Sequence, residues 1–136
     1  AGNLPTYATS AVFDAGSVSD LDLDGILFPQ SPWLLAPDVA SAELKGTLAD
    51  FWPQRIKDSP ELFAMGFDAY RLIPLLYNRT ANFTAFPTMS GELSLDANGR
   101  VRRRLPLAQF RMGQPVALGP EDEIILQDSA GLAELR

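Results

Sequence analysis

The chain has 136 residues, 46% of them hydrophobic, a net charge of −6, and neither histidine nor cysteine. That size and hydrophobicity fit one globular domain with its own core and exclude a disordered chain. Without His there is no Ser-His-Asp triad, no His-ligated zinc and no His general base; without Cys there is no disulfide.

In chain order, Leu4 to Ser10 reads as a short strand, since Thr6, Tyr7 and Thr9 favour extended backbone. Residues 11–20 read as a loop with room for a helical turn at Ala11 to Asp14. Asp24-Gly25 marks a turn, and Ile26-Leu27-Phe28 is a continuous apolar run of the kind found in buried parallel strands. Pro29 and Pro32 stop it and leave Trp33 in an extended, Pro-restricted segment.

Asp38 or Ser41 can cap a helix that runs to about Trp52 and carries an apolar stripe of Leu44, Leu48, Phe51 and Trp52. Pro53 ends it, and residues 54–60 read as a loop. From about Glu61 to Asn78 the apolar residues follow helical spacing around a wide face, so this helix is expected to be substantially buried and kinked at Pro74. After an irregular connection over 79–90, Leu93 and Leu95 alternate as a strand and Asp96-Ala97-Asn98-Gly99 forms a hairpin turn. Val101 to Phe110 is the return strand, with Pro106 pushing it toward an edge or bulge. Met112 to Pro115 turns the chain again, and 116–118 and 124–126 can each add a short strand. The order indicates a single α/β domain over 1–136 with an antiparallel appendage and an acidic tail over 120–136.

Charge is uneven: residues 1–50 carry net −6, residues 51–119 net +4 and residues 120–136 net −4. An acidic chain is a poor nucleic-acid partner. Its basic cluster, Arg100, Arg102, Arg103 and Arg104, is either a partner-contact patch or a solvated strand face. No segment reaches the roughly 18 apolar residues of a membrane span. The opening Ala1-Gly2-Asn3-Leu4 shows no signal-peptide pattern and reads as the start of an excised piece of a longer protein.

Thr9 and Ser10 end a strand, where open α/β sheets place ligands, and equally suit a turn or cap. Asp20, Asp22 and Asp24 alternate; they read as a solvated loop before they read as a cation site, and no loop has EF-hand spacing. Trp33 is either a cleft or partner-surface indole or a plug in the core. Asp68 is either cleft-facing or an acid favoured by the helix dipole, on the less apolar flank of its helix. Asn78-Arg79-Thr80 and Asn82-Phe83-Thr84 match the glycosylation acceptor pattern, which is short and common by chance. No catalytic residue, metal site or cofactor is expected.

Three segments in order are Leu4-Pro5-Thr6-Tyr7-Ala8-Thr9-Ser10, Asp22-Leu23-Asp24-Gly25-Ile26 and Pro32-Trp33-Leu34-Leu35. They resemble the LppC lipoprotein family. Gly66-Phe67-Asp68-Ala69-Tyr70 and the Gly91-to-Gly113 hairpin are similar to type I periplasmic-binding proteins more widely. The resemblance covers residues 4 to about 119. It implies part of a two-lobed type I periplasmic-binding-protein-like α/β fold: a mostly parallel sheet, flanking helices and an antiparallel hairpin. It also implies a periplasmic lipoprotein anchored to the inner face of the outer membrane, which binds and activates a class A penicillin-binding protein. The lipid anchor itself would lie outside this chain, and any acceptor pattern would carry no sugar in a bacterial parent. The competing reading is a solute-binding module for an amino acid, peptide or cell-wall fragment, with Thr9, Ser10, Trp33 and Asp68 at its cleft. An enzyme is disfavoured by the missing His and Cys. A partial lobe leaves sheet edges and helix faces uncovered, so the chain is expected to self-associate or to retain another part of its parent.

Overall fold

The computed structural model describes residues 4–13, 21–35, 39–77, 85–119 and 122. The chain divides into two units: Ala1–Gln30 with Pro106–Arg136, and Ser31–Leu105.

In the first unit a 3-10 turn at Ser10–Val12 follows the leading segment, which touches the sheet through one parallel bridge, Tyr7 to Leu27. A second 3-10 turn, Leu21–Leu23, leads into β1 (Leu27–Pro29). β1 pairs antiparallel with β5 (Leu107–Arg111), which pairs antiparallel with β6 (Gln114–Ala117), so β5 is central. Phe28 and Phe110 stack with ring centroids 4.8 Å apart, and Phe13 leans on both. Leu27, Ala108 and Leu118 complete this core. The turn between β5 and β6 places Met112 and Gly113 at positive φ, 52° and 71°.

The second unit opens with a one-turn helix α1 (Pro32–Leu35), followed by α2 (Val39–Phe51), α3 (Pro53–Asp58) and α4 (Pro60–Tyr77). The helix breaks are proline effects. Trp52 and Ser59 both leave helical geometry, with φ/ψ near −137°/59° and −147°/58°, because a following proline excludes the α region. Each proline then starts the next helix, where its missing N–H costs nothing. A three-stranded antiparallel sheet follows: β2 (Phe86–Pro87), β3 (Glu92–Leu95) and β4 (Val101–Arg104), with β3 central. Buried apolar residues of this unit are Trp33, Ala64, Leu72 and Leu93.

Several expectations are corrected. Both sheets are antiparallel, and the Tyr7 bridge is the one parallel pairing among the described residues. The Ile26-Leu27-Phe28 run is apolar because both faces of β1 are covered: Leu27 and Phe28 point to opposite faces and are 1% and 0% exposed, whatever the strand direction. Trp33 lies in α1 rather than in an extended segment. Residues 53–58 are helix, not loop. The long return strand is two strands, β4 and β5, in different sheets, parted at Leu105 and Pro106. Pro106 cannot donate to a ladder, and its carbonyl accepts the N–H of Gln30 instead. α4 is far from fully buried, with Leu62, Tyr70, Ile73 and Tyr77 well exposed. The Asp38 cap, the Asp14 end of the first turn, Asp20, the two acceptor patterns, the strand over 124–126 and the 120–136 tail (Asp122 apart) lie outside the described residues.

Candidate functional site

The four residues singled out as cleft candidates fall into two pairs, one in each unit. In the first unit, Thr9 sits at the N-cap of the Ser10–Val12 turn, but its hydroxyl makes no capping bond. Its carbonyl accepts the N–H of Val12, and that of Ser10 accepts the N–H of Phe13. Thr9 is exposed and Ser10 half-buried.

In the second unit, Asp68 and Trp33 converge on one short backbone segment. Asp68 lies on the most buried line of α4, between Ala64 and Leu72, and is only 2% exposed. Its position on a less apolar flank is therefore overturned: the helix turns this carboxylate inward. Oδ2 accepts the N–H of Ser90 at 2.7 Å and Oδ1 that of Met89 at 3.3 Å. Trp33 donates its backbone N–H to the carbonyl of Met89 at 3.0 Å. The segment is closed by Thr88, whose N–H and hydroxyl both donate to the carbonyl of Gly91, at 2.7 and 2.6 Å. Gly91 is held at φ +145°, and a Cβ there would stand 2.6 Å from the Arg104 carbonyl oxygen. A carboxylate that accepts two backbone donors in a desolvated setting is a strong clamp. Both Asp68 oxygens are engaged in fixing the entry to β3.

Trp33 is a core residue, 1% exposed, and its indole Nε1–H is buried with no acceptor among the described residues. The Lys45 ammonium stands 4.7 Å above the indole centroid and donates to the Trp33 carbonyl. Burial lowers the Lys45 pKa below the ordinary lysine value. No sequence pattern announced this contact, because Trp33 and Lys45 lie in different elements.

The arginine cluster is intact and exposed. Arg102, Arg103 and Arg104 lie on β4, an edge of its sheet, with Arg100 just before it. Arg102 Nε is 3.1 Å from the Asp96 carboxylate. Asp96 also accepts the N–H groups of Asn98 and Arg100, which closes the expected turn, with Gly99 at φ +74°. Those bonds, that of Arg100 first, pull the Asp96 pKa below the ordinary carboxylate value. Register places Arg104 opposite Glu92 and Arg102 opposite Ser94, so Arg103 projects to the other face, opposite Leu93.

Of the alternating aspartates, the described Asp22 and Asp24 form no cation site. Asp22 is exposed, and Asp24 clamps the turn between β5 and β6 by accepting the N–H groups of Met112 and Gly113 at 3.0 and 2.7 Å. Among the described residues no group of three or more His, Cys, Asp or Glu side chains could hold a metal ion, and no helix is long and apolar enough to cross a membrane. An apolar groove of about 610 Å³ lies in the second unit, floored by Leu44 and Leu48 of α2, Trp52 after it, and Leu62, Phe63 and Phe67 of α4.

With this geometry in hand, the chain aligns with solved structures of its fold class. It superposes on the C-domain of LpoA (YraM) from Haemophilus influenzae, a regulator of PBP1A, with a TM-score of 0.65 and 24% identity, covering 86% of this chain and 37% of that one. Full-length LpoA from the same organism matches at TM-score 0.65 and 25% identity, over 85% of this chain and 22% of that one. The model of the family described as LppC putative lipoprotein matches residues 1–113, and the chain belongs to that family. A protein of Vibrio antiquarius (strain Ex25), named Penicillin-binding protein activator LpoA, is 30% identical over 107 residues, 77% of this chain. The chain spans 17% of the length of that relative.

Proposed function

We propose that this chain is part of a non-catalytic lipoprotein activator of peptidoglycan synthesis, which binds and stimulates a class A penicillin-binding protein. The observation that carries this reading is the family membership over residues 1–113, together with a relative named as such an activator. On this reading the parent is held at the inner face of the outer membrane by an N-terminal lipid and reaches its synthase across the periplasm. The chain supplies part of a type I periplasmic-binding-protein-like fold. Its contact surface is the arginine edge of β4, which offers a row of fixed positive charge on an edge strand. The solute-binding alternative draws less support, since both Asp68 oxygens already hold backbone donors and Trp33 is sealed in the core.

The test is capture of purified class A penicillin-binding protein on the immobilised chain, with glycan-strand synthesis followed in the same tube. Binding with faster synthesis is expected. Changing Arg102, Arg103 and Arg104 together to Glu should weaken binding about tenfold at low salt and flatten its salt dependence. That reversal also sets an acid opposite Glu92, so circular dichroism and the paired change Arg100→Glu, Arg103→Glu accompany it. Unaltered affinity in both folded variants rejects the arginine surface. No binding and no rate change reject the activator reading for this chain.

A further inference from the structure

The hairpin turn between β3 and β4 holds a reactive pair, Asn98-Gly99. The other asparagines, Asn3, Asn78 and Asn82, precede Leu4, Arg79 and Phe83; Asn98 alone precedes a glycine. A glycine nitrogen is the least shielded backbone nucleophile, because no Cβ stands beside it and its backbone turns freely. Asn98 and Gly99 are both exposed, and a methyl built on Gly99 meets nothing within 4 Å, so water reaches the pair. Among the described residues the Asn98 side-chain amide makes no hydrogen bond. Asp24-Gly25 is the contrast: both Asp24 oxygens hold backbone donors, and the Gly25 N–H donates to the Phe110 carbonyl.

The chemistry open to the pair is attack of the Gly99 nitrogen on the Asn98 Cγ. The nitrogen gives its proton to water and bonds to Cγ, and the side-chain nitrogen leaves as ammonia, which closes a five-membered imide. Water then opens the imide at either carbonyl and leaves aspartate or isoaspartate at position 98. One water is consumed and one ammonia released, with no change of oxidation state.

The turn holds this step back. The Gly99 N–H donates to the Asp96 carbonyl at 2.9 Å, and Asp96 Oδ1 accepts the N–H groups of Asn98 and Arg100 at 2.9 and 3.0 Å. To reach Cγ, the Gly99 nitrogen must give up that bond while the peptide after Asn98 rotates out of the turn. The rate then follows the fraction of time the pair spends in the attacking geometry.

We propose that Asn98 is a deamidation site and that Asp96 sets its rate by holding the turn closed. The proposal is independent of the activator reading. Each event places an acid next to Arg100, and isoaspartate also lengthens the main chain inside the Asp96 bonds.

The test incubates the folded 136-residue chain at mildly alkaline pH and follows each asparagine by peptide mapping with mass spectrometry, isoaspartate being resolved by retention. Asn98 should convert before the other three asparagines, with ammonia released in step. Asp96→Ala removes two of the turn's bonds and should speed conversion at Asn98 about tenfold while circular dichroism is retained. In urea, where the turn is gone, parent and variant should convert at one rate, faster than the folded parent. Conversion of another asparagine first in the folded parent overturns the site. A folded Asp96→Ala chain that converts at the parent's rate overturns the control by Asp96. A parent that converts at Asn98 as fast folded as in urea does the same, and that comparison needs no variant.

Discussion

Removing the Asp68 carboxylate separates a structural clamp from a ligand anchor. In Asp68→Ala the N–H groups of Met89 and Ser90 lose their acceptors inside the second unit. A hydrogen bond to a charged group contributes about 1.5–3 kcal/mol, and a buried donor left unmade costs about 1–3 kcal/mol. The Ser90 bond at 2.7 Å stands near the top of that range and the 3.3 Å Met89 bond near the bottom, which puts the loss at about 3–4 kcal/mol. Asp68→Asn keeps the volume and one acceptor oxygen, and should cost about half as much. With a urea slope of about 1.5–2 kcal/mol/M for a domain of this size, the Ala variant should shift the midpoint down by about 2 M. Urea titration followed by circular dichroism gives that shift, and hydrogen exchange at the Met89 and Ser90 amides reads the clamp locally, even where the two units unfold separately. An Ala variant whose midpoint stays within about 0.3 M of the parent, with unchanged exchange at both amides, refutes the clamp. Unchanged stability with lost ligand or partner binding would return Asp68 to the role of an anchor.

Three further outcomes follow from the same geometry. Burial lowers the Lys45 pKa, so between its folded value and the ordinary 10.5 the unfolded chain binds more protons, and stability rises with pH across that window. Lys45→Met should remove this rise when urea midpoints from pH 7 to 10.5 are compared, and an identical pH slope in both proteins would contradict it. Asp96 is shifted the other way, so its contribution is present above pH 3.8 and lost as pH falls through the folded value. The amide shifts of Asn98 and Arg100 should titrate together with a midpoint below 3.8, and a midpoint at or above 3.8 would sink the assignment. Gly91→Ala sets a Cβ 2.6 Å from the Arg104 carbonyl at a φ of +145°, and should cost about 2 kcal/mol or more. Gly46→Ala, in the middle of α2 with nothing within 4 Å of the added methyl, should instead gain up to about 1 kcal/mol.

Much of the local structure was legible in the residues. The Asp96–Gly99 hairpin turn and the extents of α2 and α4 rest on interactions within a few positions, and the structure has them where residue chemistry puts them; the turn at Met112–Gly113 is also where expected, though Asp24 clamps it from far along the chain. The ordered LppC-like segments point to the family, and the match over residues 1–113 bears this out. Misreadings arose where a local signal has two outcomes. Pro53 ends α2, yet proline also starts helices, and α3 begins on it. The Ile26-Leu27-Phe28 run suits a parallel strand, yet an apolar run reports burial on both faces and carries no strand direction.

The sequence by itself determined the family, the turns, the extents of α2 and α4 and the exclusion of His and Cys chemistry, because these depend on residue type and near spacing. Only the tertiary structure decided the pairing of β1 with β5 and the split of one predicted strand between two sheets. It alone turned Asp68 inward onto Met89 and Ser90 and set Lys45 over Trp33. These contacts join residues 12 to about 80 positions apart, and no local propensity encodes which partner a buried donor, ring or strand edge will meet.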